Sequence, residues 1–185
     1  MNAGEWLAAL DGRVELVSVL WLLPIIFMFH DFEEILTVEG WLSRNGDRVF
    51  AKLPGFARRL LEDSFRMNTR QFAADVLQIF SVIAAAAAAA VFFGFYWPYL
   101  VILAIFFLHV FTHAGQAVLL RMYTPGVATA VLLVLPFSLY SYYKLLESGI
   151  VHWDDLFLSL LLAVLAVPPL LWLLVRDRRK AVRGY

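Results

Sequence analysis

The chain has 185 residues, 15 basic and 15 acidic side chains, and no cysteine. With 62% hydrophobic residues and a mean hydropathy of +0.77, it is well above the roughly half-apolar composition of a soluble domain, so the class is integral membrane protein. Zero net charge gives no pull toward nucleic acid, and the missing thiols exclude disulfides, thiolate metal sites and a cysteine nucleophile.

The expected architecture is all-α: one polytopic membrane domain of about five transmembrane helices plus one interfacial amphipathic helix. The first span covers about residues 14–36 and ends in His30-Asp31-Phe32-Glu33-Glu34. The acidic N-terminus, with no small-residue cleavage site after the first apolar run, argues against a removed signal peptide. The next stretch, 37–70, is different in kind and carries Arg44, Arg48, Lys52, Arg58, Arg59, Arg66 and Arg70. Within the interfacial segment 44–67, residues 56–67 place Phe56, Leu60, Leu61, Phe65 and Met67 on one side of a helical wheel, with charges opposite. That is the pattern of a helix lying in the headgroup plane. Further spans follow at about 71–93, 97–120, 127–146 and 153–175, each near the roughly 20 residues that cross a bilayer. Gly94-Phe95-Tyr96-Trp97-Pro98 and Tyr123-Thr124-Pro125-Gly126 are tight connections. Pro24 and Pro136 are expected to bend their helices. The 37–70 segment and the basic tail Arg176–Lys180 fall on one side of a five-span chain. The positive-inside rule then gives an N-out, C-in multi-pass protein.

Charge within a span costs at least about 2.5–3.5 kcal/mol per residue near mid-bilayer, so its location carries information. His30, Glu33 and Glu34 share one helical stripe at i, i+3 and i+4. Gln71, Asp75 and Gln78 begin the second span, and His109, Thr112, His113 and Gln116 occupy the inner half of the third. All sit at similar depth, where one inward-facing pocket can hold them. Two histidines at i, i+4 are the spacing by which a helix presents two imidazoles to one metal. Ligands that are only His, Asp and Glu suit a divalent ion, zinc first, with iron or manganese as alternatives. The expected metal ligands are therefore His30, His109 and His113 with Glu33 or Glu34, the other glutamate acting as general base. Asp75, Gln116, Arg121 and Tyr123 are the expected substrate-binding residues. Asp31 points elsewhere on the wheel and is expected to be solvated or paired with a loop arginine. No polar trail is evident through the outer half of the spans, and the chain has no internal repeat.

The His30-x-x-Glu33-Glu34 motif in the first span, the histidines of the third, and Tyr123-x-Pro125-Gly126 resemble a family of small bacterial integral membrane proteins named for the HXXEE motif. The resemblance runs from about Phe29 to Gly126. It implies that His30, Glu33, Glu34, His109 or His113, and the Tyr123–Gly126 turn act together, and that the protein resides in a bacterial inner membrane. The pattern of CAAX-type membrane proteases is not matched, because Val38 stands where that class has an arginine four residues after the second glutamate.

Three functions remain open at this point. The first is an intramembrane metal-dependent hydrolase acting at the cytoplasmic side on a lipid or other small amphipathic substrate. The second is a metal or proton transporter, and the third a non-catalytic membrane protein whose polar cluster joins helices.

Overall fold

The computed structural model describes residues 11–55, 58 and 68–183. Five helices are long and apolar enough to cross a membrane, and no strand occurs among the described residues. They are α1 (Leu16–Lys52), α2 (Thr69–Phe93), α3 (Trp97–Leu120), α4 (Val127–Glu147) and α5 (Trp153–Arg183). The outer surface is apolar: Leu36, Phe93 and Leu119 are each more than four-fifths exposed. Such faces suit lipid and would be untenable in water.

Lipid offers apolar side chains no hydrophobic gain on association, so the helices are held by close packing and by polar contacts. The Ala84–Ala90 run serves the first need. Ala86, Ala87 and Ala90 are buried on α2 and let it approach the Val19, Leu20, Leu23 and Phe27 face of α1. Tyr99, Leu100, Leu103 and Phe106 of α3 complete the core, with Val134 and Phe137 of α4. At the end of the bundle near the N-terminus, Asp11 accepts a 2.7 Å hydrogen bond from Tyr140 and lies 3.4 Å from Lys144.

The first helix departs most from the sequence reading. It does not stop near residue 36 but continues to Lys52 as one helix of 37 residues, about 55 Å at 1.5 Å per residue. The hydrocarbon core is only about 30 Å thick, so the C-terminal part of α1 stands beyond it. Gly40 and Asn45-Gly46 lower helix propensity and read as breakers, but tertiary contacts override them. Glu39 accepts hydrogen bonds from the Thr69 backbone N–H (2.8 Å) and hydroxyl, closing the N-terminus of α2. Asn68 and Gln71 add a reciprocal capping box there. Trp41 donates its indole N–H to the Tyr123 carbonyl at 2.8 Å, holding the turn before α4. Residues 44–52 of the expected interfacial segment therefore belong to α1, and the rest of its wheel, 56–67 apart from Arg58, lies outside the described residues.

Pro24 sits inside α1 without interrupting it. Near Pro136 the backbone does change, widening into a π-helical turn over Ala130–Val134 within α4. Proline cannot donate the i→i−4 bond, and a wider turn absorbs that loss. The altered turn begins immediately after Thr129, a residue of the site described next.

Candidate metal centre

Two helices supply the cluster and the start of α4 closes it. His30 and Glu34 come from α1, one turn apart, and His109 and His113 from α3, also one turn apart. The helical period puts each pair on one face, and the packing of α1 and α3 with α4 turns both faces inward. The imidazole centroids of His30 lie 5.4 Å from His109 and 4.9 Å from His113, with His109 and His113 at 4.3 Å. His109 and His113 face each other through their Nε2 atoms at 2.7 Å, and His113 Nε2 is 3.2 Å from Glu34 Oε1. One ligand atom from each of His30, Glu34, His109 and His113 lies within 4.8 Å of all the others.

Two members of the cluster are buried. His30 and His113 are 1% and 5% exposed. His30 Nε2 is buried with no hydrogen-bond partner among the described residues. A buried polar atom without a partner costs about 1–3 kcal/mol. A cation at the centre would remove that cost for His30 Nε2 and would balance the Glu34 carboxylate.

The Tyr123–Gly126 turn is the lid. Gly126 has φ +82°, and a Cβ there would stand 2.6 Å from Glu34 Oε1 and 2.7 Å from His113 Cε1. Glycine is needed both for the left-handed backbone and for the space it leaves to two members of the cluster. The turn and the cluster are therefore one packing unit.

Glu33 does not join the four. Its carboxylate swings to the start of α4, where Oε2 accepts from the Thr129 N–H (2.7 Å) and Thr129 hydroxyl (2.5 Å). Its Oε1 accepts from the Ala128 N–H (3.3 Å) and the Tyr123 hydroxyl (2.5 Å). A carboxylate on the free N–H groups of a helix N-terminus is a favourable cap for both charge and hydrogen bonding. Burial, and then the bond to Glu33, push the Tyr123 hydroxyl above its ordinary pKa. Tyr123 thus contacts the site through Glu33.

Of the remaining expected substrate residues, none is among the four grouped ligands. Asp75 is half-buried on α2 and has a partner of its own, while Gln116 and Arg121 are exposed at the end of α3. Asp31 departs from the expectation of solvation or a loop arginine. It is buried, and its Oδ2 has no hydrogen-bond partner among the described residues. Thr129 is the residue the sequence reading omits. Its hydroxyl stands 2.9 Å from His30 Nδ1, and the available signal was a hydroxyl three residues past Gly126 on the first turn of a span.

With this geometry in place, the chain can be classified: it is a multi-pass membrane protein with a His₃Glu cluster under a glycine lid. It belongs to the family described as protein of unknown function with HXXEE motif, which matches residues 21–141 and so includes every residue of the cluster and its lid. No curated protein and no solved structure matches the chain.

Proposed function

We propose that the protein is an intramembrane metal-dependent hydrolase that acts on a lipid or other amphipathic substrate at the cytoplasmic side, with zinc as its metal. The observation that carries the reading is the convergence of His30, Glu34, His109 and His113 within 4.8 Å. Three neutral imidazoles are a donor set for zinc that leaves a fourth position for water, with iron and manganese next, and the Glu34 carboxylate stands beside them. Zinc supplies a Lewis acid and lowers the pKa of a bound water to about 7. The three histidines would hold the ion. Glu34, at 3.2 Å from His113 Nε2, is placed to accept the proton of the attacking water. Glu33, committed to α4, takes no proton.

The reading is tested with purified protein in phospholipid vesicles doped with a fluorogenic acyl ester. Chelator-sensitive hydrolysis is expected. Glu34→Gln should slow it by about 10²–10⁴-fold, the range for removing a general base, while the metal stays bound. Hydrolysis that is absent, or indifferent to chelator, contradicts the proposal.

A transporter is the second reading, and one observation favours it. Ser138 and Ser141 are fully buried on α4, and the Ser138 hydroxyl lacks a partner among the described residues. They lie in the half of the bundle away from the cluster, where no polar trail was expected. Zinc flux across the same vesicles, without ester hydrolysis, would select this reading.

The orientation we propose is N-out, C-in in a bacterial inner membrane. It rests on the basic residues of 37–70 and of the tail falling on one side. Reporter fusions at residues 55 and 180 are expected to report the cytoplasm in both cases, and opposite sides would refute the assignment.

A further inference from the structure

Each histidine of the cluster presents two ring nitrogens, and only a deprotonated one can take a metal. The proton's position on His30 follows from the hydrogen bonds around it. Thr129 Oγ1 lies 2.9 Å from His30 Nδ1 and 2.5 Å from Glu33 Oε2. The Glu33 carboxylate can only accept, so the single Thr129 hydroxyl hydrogen goes to Glu33. The Thr129 oxygen is then left to accept, and the hydrogen it accepts must be on His30 Nδ1. Nε2 keeps its lone pair, and Nε2 is the buried atom with no partner. His109 repeats the arrangement on a smaller scale. The Thr112 hydroxyl donates to the His109 carbonyl at 2.7 Å, and its oxygen faces His109 Nδ1 at 3.3 Å. His109 Nε2 in turn faces the cluster.

We propose that Glu33 is a positioning residue: through Thr129 it fixes His30 in the Nδ1–H tautomer and aims His30 Nε2 at the cluster. The proposal rests on the metal-centre reading only for what Nε2 binds. It assigns Glu33 a different job from Glu34 although the two are adjacent in the motif. Glu33 has a second structural duty, since the same carboxylate caps α4 at Ala128 and Thr129. The cap holds the start of α4 where the Thr129 hydroxyl meets His30, so docking of α4 onto α1 and orientation of the histidine are one event. A carboxylate reaching a ligand histidine through a hydroxyl is an outer partner of the kind that sets ligand orientation and basicity.

The experiment compares wild type with Thr129→Val, which keeps the shape and removes the hydroxyl, and Thr129→Ser, which keeps the hydroxyl. Imidazole nitrogen NMR of histidine-labelled, metal-free protein reads the tautomer directly. Zinc affinity is read by competition with a chromogenic chelator. Wild type and Thr129→Ser are expected to show His30 protonated on Nδ1. Thr129→Val should show a tautomer mixture and bind zinc about 10–100-fold more weakly, with Thr129→Ser restoring affinity to within a few-fold. His30 protonated on Nε2 in wild type would overturn the proposal. So would a Thr129→Val protein with wild-type tautomer and affinity. If Thr129→Val fails to fold, Glu33→Gln gives the parallel test, because its amide can donate to the Thr129 oxygen and displace the His30 hydrogen bond. A wild-type protein that binds no zinc would defeat the metal-centre reading, and the nitrogen spectrum would still decide the tautomer.

Discussion

Replacing His109 and His113 together by alanine is expected to lower zinc affinity by at least about 100-fold, beyond the roughly 10–100-fold that loss of a single outer partner costs. Both side chains lie on one face of α3 with their Nε2 atoms 2.7 Å apart, and His30 meets them from α1 at centroid separations near 5 Å. Removing both leaves one imidazole of the three, too few donors for a tight zinc site. The fold should survive, because α3 keeps Tyr99, Leu100, Leu103, Ala104 and Phe106 in the core. Chelator competition with the purified variant measures the loss, and circular dichroism verifies the helices. Unchanged affinity would place the metal elsewhere or nowhere.

Gly126→Ala is expected to damage stability and the centre together. Two effects add at this position. A left-handed φ of +82° costs a residue with a Cβ about 1–3 kcal/mol. The new methyl would also meet Glu34 Oε1 and His113 Cε1 at 2.6 and 2.7 Å, so the carboxylate or the ring must shift. A displaced His113 ring should weaken zinc binding by about tenfold or more, comparable to disturbing an outer partner. Gly149→Ala separates the two effects. Gly149 also has positive φ, +68°, but no atom lies within 4 Å of its added methyl. It should lose stability and keep wild-type zinc affinity. Equal affinity in the two variants would show that the turn is not a lid on the centre.

The spans were legible from length and apolarity alone because lipid demands them. The cluster was legible because buried ionisable groups are rare and helical spacing fixes their faces. His30, Glu34, His109 and His113 meet as their spacing implies. Which glutamate points inward was not legible, since Glu33 and Glu34 are adjacent on the same stripe. That choice is made by the N-terminus of α4, whose free N–H groups capture Glu33. The long continuation of α1 was hidden by Gly40 and Gly46, whose local preference is overruled by the Glu39 and Trp41 contacts to distant turns. Thr129 was hidden for the same reason: its role depends on helix docking, which no local pattern encodes.

X-ray absorption at the zinc edge of the zinc-loaded wild-type protein tests the central claim most directly. The shared centre predicts three imidazole nitrogens and oxygen at about 2.0–2.2 Å in the first shell, with the outer-ring scattering of histidine. One zinc should be bound per chain, and the imidazole signal should fall in the His109→Ala, His113→Ala variant. A shell of oxygen alone, or zinc that does not bind stoichiometrically, would contradict it.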